Sequence, residues 1–392
     1  MTYEGALAVL AARQETVIDL GLGRVKRALA RLGDPQEKVP AFHVAGTNGK
    51  GSTCAILASV LRAAGYRVGL YVSPHLLEVR ERVSVDGTPI SKADFARLFP
   101  SGDLTYFELL TVLAFRYFAE KKCDVMVLET GLGGRLDATN AVKAPLAAVV
   151  TSVDFDHQAY LGRTLKAIAG EKAGIFKPGR PAVHPRHAVL ERLAVRGRRV
   201  VVKKPWPVTR VDWKKGVQTV GGYRLSLLGS RQGWNAALAH AAVEASGLRV
   251  PEAAWRKGLA RVSWPGRFEV RRRGGRAVII DGAHNPEAAR ALAATFKASP
   301  FARRPARWVL GMMRDKDARG VLAPLAPFLK EVFVVRPPSP RAMDPVDLAQ
   351  AVRRASRAKV TISDLRSALR ARKTVVCAGS LYLAGAVLRE LK

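Results

Sequence analysis

Residues 41–65, AFHVAGTNGKGSTCAILASVLRAAG, constrain this chain more than any other stretch. An apolar run over 41–45 stops abruptly in Gly46-Thr47-Asn48-Gly49-Lys50-Gly51-Ser52-Thr53. Ile56, Leu57, Val60 and Leu61 then recur at helical spacing. Strand, glycine loop and helix together are the context in which such a string binds phosphate. Glycines let successive N–H groups turn toward one anion, and the helix N-terminus adds its positive end. Lys50 supplies a point charge to the outer phosphates. A lone Gly-Lys-Ser would read as a tight turn, but these flanks favour nucleotide binding.

The pattern after this loop alternates strands and helices. Residues 67–72 read as a short buried strand stopped by Pro74, with Ser73 and His75 at its carboxyl end, where open α/β sheets place ligands. Thr105-Tyr106-Phe107-Glu108 opens a helix reaching to Lys121, whose apolar positions face a core. Residues 123–128 form a nearly continuous apolar run, expected of a parallel strand buried on both faces. Glu129 ends it, where a magnesium-bound acid is wanted beside a phosphate loop. A glycine-rich segment, 130–140, follows. Another buried strand over 147–150 leads to His157 and a helix starting at Leu161 and carrying Lys172. From residue spacing alone these two are a turn histidine and an exposed helix lysine, and Arg80-Glu81-Arg82 is a solvated turn.

Residues 198–228 change to short alternating segments around Gly216 and Gly221-Gly222, a small antiparallel excursion. Ser263-Trp264-Pro265-Gly266 marks a domain boundary. Strands at 277–280, 308–310, 332–335 and 375–378 then alternate with helices. The expectation is a P-loop NTPase-like parallel-sheet domain over 1–264, containing the excursion, and a smaller Rossmann-like α/β domain over 265–392.

Charge is the unusual property. Among 392 residues, 65 Lys and Arg face 32 Asp and Glu, a formal net charge of +33. Arg24, Lys26, Arg62, Arg192, Arg256 and Arg353 are dispersed, and the dense groups, 196–199 and 271–276, read as loop or strand-edge charge. No basic stripe interleaved with aromatics appears, so a generic basic surface is favoured over a nucleic-acid face. The N-terminal 21 residues read as a surface helix without signal-peptide character, and no apolar run is long enough to cross a membrane. Three scattered cysteines fit a reduced cytoplasmic protein and offer no metal framework.

The loop G-T-N-G-K-G-S departs from the usual P-loop by placing Gly51 directly after the lysine, and it resembles the folylpolyglutamate and dihydrofolate synthases, relatives of the Mur ligases. Further motifs follow in the family's order: S-P-H-L-x-x-x-R-E-R, E-T-G-L-G-G-R-L-D-A-T-N, D-H-x-x-x-L-G, E-K-A-G-I, Q-x-x-N, G-R-F-E and D-G-A-H-N-P. One departure is Arg231, where the family often has histidine before the glutamine.

The resemblance implies ATP-dependent addition of L-glutamate to dihydropteroate or to the γ-carboxylate of folylglutamates, through an acyl phosphate. It implies ATP contacts from Asn48, Gly49, Lys50, Gly51, Ser52, Asn235, Arg267 and Asp281. Two Mg2+ sites are implied, with Ser73, Glu129 and His157 as ligands. Lys172 becomes N6-carboxylysine, an anionic ligand. Thr105, Tyr106, Phe107, Glu108, Leu136, Asp137, Ala138 and Ser380 fall on the substrate side. Lys50, Lys172, His157 and His284 are the catalytic candidates. The implied protein is a cytoplasmic monomer with small-molecule substrates, and with neither a specific nucleic-acid partner nor a membrane one. A Mur-type ligase for another carboxylate shares the loop and metal site, but Leu136-Asp137-Ala138 argues for a pterin. A nucleic-acid-binding P-loop ATPase would explain the charge, yet no recognition module supports it.

Overall fold

A computed structural model describes residues 1–13 and 19–392. The chain divides into two compact units, Met1–Trp206 with Trp234–Val262, and Pro207–Gly233 with Ser263–Lys392.

The first unit holds an eight-stranded sheet. Its strands are β1 (Ala41–Ala45), β2 (Val68–Tyr71), β3 (Val83–Val85), β4 (Thr88–Pro89), β5 (Val125–Glu129), β6 (Ala147–Val150), β7 (Pro181–Pro185) and β8 (Arg198–Val202). Their order is β4-β3-β2-β5-β1-β6-β7-β8. β2, β5, β1, β6, β7 and β8 run parallel. β3 and β4 extend one edge antiparallel. The central strands β1, β5 and β6 are buried along their whole length, the condition that makes them read as unbroken apolar runs. Helix Tyr106–Glu120 contributes much of one core, with Leu109, Leu110, Val112, Leu113 and Phe115. Helix Lys50–Ala63 packs on helix Glu252–Arg261 at Gly258, where a Cβ would stand 2.6 Å from the Val60 Cα.

In the second unit a three-stranded antiparallel sheet, β9 (Val208–Asp212), β10 (Val217–Val220) and β11 (Tyr223–Leu225), precedes a six-stranded one. The latter comprises β12 (Glu269–Arg273), β13 (Arg276–Ile280), β14 (Arg307–Leu310), β15 (Glu331–Val334), β16 (Lys359–Ile362) and β17 (Val375–Ala378), in the order β12-β13-β17-β14-β15-β16. All but β12 are parallel.

Several expectations need correction. The excursion belongs with the second unit, whereas the expected 1–264 domain placed it in the first. The reason is Trp213, whose ring meets Phe268 at 5.9 Å and Phe301 at 6.3 Å, both in the second unit. Residues 198–202 are outside that excursion, since β8 is a parallel edge strand of the first sheet. The helix read from Leu161 is two helices, Gln158–Leu161 and Leu165–Ala173, separated at Gly162, whose φ of 94° no right-handed helix accommodates. At the N-terminus the helix is Tyr3–Ala12, and the remainder of the expected one includes residues 14–18, outside the described residues. Among the described residues no helix is long and apolar enough to cross a membrane.

Candidate active site

Four parallel strands of the first unit end at one edge, and sheet register brings their terminal residues together. Val44 of β1 pairs with Glu129 of β5, and Ala45 with Val150 of β6. Tyr71 of β2 pairs with Leu128. Residues 46–51, Ser73, Glu129 and Thr151 therefore issue from neighbouring strand ends, at the site class that an α/β sheet offers for ligands.

The glycine loop is held by backbone and hydroxyl contacts to the end of β6. Thr47 N–H donates to Ser152 O (3.0 Å) and Asn48 N–H to Ser152 Oγ (2.9 Å). Thr151 Oγ1 donates to Asn48 O (2.6 Å), and Thr47 Oγ1 to Asp154 O (3.0 Å). Gly49 has φ 87°, and a Cβ there would lie 2.5 Å from Asn235 Oδ1. The loop is thus set by its glycines. Lys50 opens helix Lys50–Ala63 and folds its ammonium onto loop carbonyls, Gly46 O (3.0 Å) and Thr47 O (3.3 Å). Gly51 and Ser52 are buried beneath it. Asn235 Oδ1 also accepts from Thr53 Oγ1 at 3.5 Å.

Glu129 is 4% exposed, and its Oε2 accepts the Ser73 amide at 3.1 Å. That bond joins two of the expected metal ligands. His157 sits at φ 50° before helix Gln158–Leu161, with Nε2 3.8 Å from Asp156 Oδ1. Lys172 corrects its spacing-based reading: it is buried, 3% exposed, on helix Leu165–Ala173. No group of three His, Cys, Asp or Glu side chains suited to a metal ion occurs among the described residues. The candidate sets instead enlist Ser73 and Lys172, outside those four types.

The segment 130–142 follows β5 and packs on two helices of the same unit. Its Gly131 lies against Phe107, where a Cβ would stand 2.6 Å from the ring. Arg135 N–H donates to Glu171 O (2.8 Å), and Arg135 Nη2 to Glu171 Oε1 (2.8 Å), which ties the loop to the helix of Lys172. Leu136 is half-buried, and Asp137 and Ala138 are buried. Asp137 Oδ1 accepts from Thr139 N–H (3.0 Å) and Thr139 Oγ1 (2.5 Å), while Oδ2 accepts from Leu132 N–H (2.8 Å). Burial raises its carboxyl pKa, and those hydrogen bonds, with one from the Gly131 amide, oppose the rise.

Thr105 caps helix Tyr106–Glu120 in a reciprocal box with Glu108: Glu108 Oε2 accepts the Thr105 amide at 2.8 Å. Glu108 also pairs with Arg24 at 3.0 Å. Sequence reasoning counted Arg24 only among the dispersed charges, since a single arginine near the start of a helix carries no distance information. Arg82 overturns the solvated-turn reading of 80–82. It is buried, its Nε donates to His75 Nδ1 (3.0 Å), and its guanidinium lies 5.2 Å from the Tyr106 ring centre. Glu81 accepts the amides of Leu76, Leu77 and Glu78.

In the second unit, Asp281 directly follows β13 with both oxygens engaged, by Phe268 N–H (2.8 Å) and Ala283 N–H (2.8 Å). Burial raises its pKa, against the nearby Arg267 charge and those amides. His284 Nδ1 faces the Gly282 carbonyl at 2.8 Å, which can only accept, so the proton is on Nδ1. Ser380 is buried and caps helix Leu381–Glu390 by accepting from Leu383 N–H (3.0 Å).

Known proteins resemble the chain in sequence and in fold. Family models match for the Mur ligase middle domain over residues 44–192 and for the Mur ligase glutamate ligase domain over 266–386. The dihydrofolate synthase/folylpolyglutamate synthase of Bacillus subtilis is 35% identical, over 100% of this chain and 99% of that protein. The chain belongs to the dihydrofolate synthase/folylpolyglutamate synthase family. Two solved structures are similar throughout. Escherichia coli FolC in complex with DHPP and ADP has TM-score 0.87 and 36% identity, covering 100% of this chain and 98% of its own. The bifunctional enzyme of Yersinia pestis complexed with AMPPNP and Mn ion has TM-score 0.85 and 34% identity, with the same coverage.

Proposed function

We propose that this chain is an ATP-dependent ligase that joins L-glutamate to dihydropteroate and to the γ-carboxylate of folylglutamates. The observation that carries this reading is the register of Val44 with Glu129, which sets a buried carboxylate beside the phosphate loop. A carboxylate does not acylate an amine unaided, because its leaving group would be oxide. Attack of the substrate carboxylate oxygen on the terminal phosphorus of ATP breaks the bond to ADP and leaves an acyl phosphate. The glutamate amine then attacks the acyl carbon, the carbon–oxygen bond breaks, phosphate departs, and the ammonium proton is lost.

The loop amides of Gly49, Gly51 and Ser52 and the Lys50 ammonium hold the nucleotide phosphates, and Asn48, whose own amide bonds Ser152 Oγ, is proposed to contact ATP beside them. Lys50 would trade its bonds to Gly46 O and Thr47 O for phosphate oxygens. Asn235, Arg267 and Asp281 are proposed ATP contacts. Hard oxygen donors at Ser73 and Glu129 fit one divalent cation, and His157 with carboxylated Lys172 fits a second. Magnesium bound by these residues screens the negative charge of the phosphates. Carboxylation of Lys172 would turn a buried cation into an anion suited to that role.

Thr105–Glu108 and Leu136-Asp137-Ala138 are proposed to line the substrate site, supported by the contact of Phe107 with Gly131. His284 is proposed on the glutamate side, its Nε2 able to take the amine proton. Ser380 is proposed there through the helix end it caps. A cytoplasmic monomer with neither a specific nucleic-acid partner nor a membrane one is part of the same reading, and the three buried free thiols fit it. An ATPase assay with dihydropteroate and glutamate, added singly and together, tests the function. Phosphate release coupled to a new amide only when both are present is expected. Release independent of both, or stimulated by nucleic acid, would overturn it.

A further inference from the structure

His43 is an unusual residue for the middle of a central parallel strand. It is 0% exposed, flanked on β5 by Leu128 and on β6 by Ala148, where an apolar side chain is the ordinary choice. Its Nε2 lies 2.8 Å from Thr139 Oγ1. Its Nδ1 is buried with no hydrogen-bond partner. A buried polar atom left unsatisfied calls for a reason.

The direction of the chain of bonds follows from donor counting. Thr139 has one hydroxyl proton, and Asp137 Oδ1, 2.5 Å away and also receiving the Thr139 amide, takes it. Thr139 Oγ1 must then accept from His43, so the imidazole proton is on Nε2. Burial pushes the His43 pKa down to about 3, with the Lys177 charge adding to the effect, and the ring stays neutral. His43, Thr139 and Asp137 thus form one ordered, buried series. It starts three residues before Gly46 and ends at the carboxylate of the segment 130–142.

We infer that His43 and Thr139 are positioning residues that hold the Asp137 carboxylate in one rotamer, and through its bonds to Leu132, Thr139 and Gly131 fix the shape of the segment proposed to receive the pterin, tying that segment to the strand that carries the glycine loop. Without this series the carboxylate would keep its amide bonds to Leu132 and Thr139 but lose its strongest side-chain donor. An apolar residue at 43 could not orient the Thr139 hydroxyl. The orphaned Nδ1 is the cost of presenting Nε2–H at that point. The inference rests on the proposed substrate role of the loop.

Thr139→Val removes the hydroxyl at nearly constant shape, and Thr139→Ser restores it. Thr139→Val is expected to raise KM for dihydropteroate about tenfold, with KM for ATP unchanged within about twofold, and Thr139→Ser to recover most of the loss. Asp137→Asn, measured alongside, is expected to raise the same KM. An effect of Asp137→Asn with none from Thr139→Val overturns the relay and leaves the substrate site standing. No change in dihydropteroate KM from either variant overturns the substrate reading of the loop, and the relay with it. Equal rises in both KM values for Thr139→Val would show general loosening and also overturn the relay. Nitrogen NMR of His43 supplies a readout independent of turnover. A neutral Nε2–H ring is expected from about pH 8 to about pH 5, and an Nδ1–H or charged ring in that range overturns the donor order.

Discussion

Two glycine-rich loops leave neighbouring strands at the same edge of the first sheet, and they are built in opposite ways. The loop after β1 is shaped by its own backbone, with Gly49 at φ 87° and amides and carbonyls pinned to residues 151–154. Its one cation, Lys50, is half-buried and rests on loop carbonyls that a phosphate could replace. The loop after β5 is shaped by side chains. Thr130, Asp137, Thr139 and Asn140 are all buried, and Asn140 Nδ2 bonds Arg135 O and Gly174 O. A loop made from glycine keeps its functional side chain available, whereas a loop made from side-chain hydrogen bonds commits the residues that a motif highlights. A motif therefore identifies the second segment without saying which of its atoms meet a ligand.

The largest effect should come from the first loop. Lys50→Ala is expected to lower kcat by at least about 100-fold at saturating ATP, with circular dichroism unchanged, because the role proposed for the charge is on phosphate and the side chain fills no core. Near-normal turnover would remove the contrast between the loops. Lys172→Ala should also abolish most activity, and acetate or formate should restore at least about tenfold of it, since the missing group is an anion. Full activity of an unmodified lysine without bicarbonate dependence would count against carboxylation.

A smaller loss is expected from Gly49→Ala. The positive φ and the 2.5 Å approach to Asn235 Oδ1 should cost about 1–3 kcal/mol and raise KM for ATP. If the variant binds ATP normally, backbone shape is not what defines this loop.

The last effect is a matter of pH, and it is read on folding stability, not on turnover. The folded-state pKa of His43 is depressed, from 6.5 to about 3, so the unfolded chain takes up a proton that the folded one refuses. Folding stability should fall as pH drops from 6.5 toward 3, by at most about 1.4 kcal/mol per pH unit from this group. His43→Gln should lack that increment in denaturant midpoints compared at neutral and acid pH. An unchanged slope would mean that His43 titrates freely.

Strand and helix alternation was legible because buried parallel strands and amphipathic helices impose periods on the sequence, as β1, β5 and β17 show. The phosphate loop was legible for a related reason. Gly46 and Gly49 are needed for conformations and close approaches that other residues resist, so their spacing is itself structural information. Arg82 and Lys172 were misread from spacing, because a long charged side chain looks solvated until its neighbours are known. The excursion at 207–233 went to the wrong domain, since a short antiparallel ribbon carries no mark of which core its Trp213 will enter.

By itself, then, the sequence determined the α/β class, the glycine loop between strand and helix and the order of the family's motifs, all of which are local in chain or periodic. Tertiary structure decided which distant residues meet: Arg24 with Glu108 across 84 positions, and His43 with Thr139 across 96. Such pairings depend on sheet order and register, and a polar side chain acquires its role only when a particular partner is the donor or acceptor left to it inside the core.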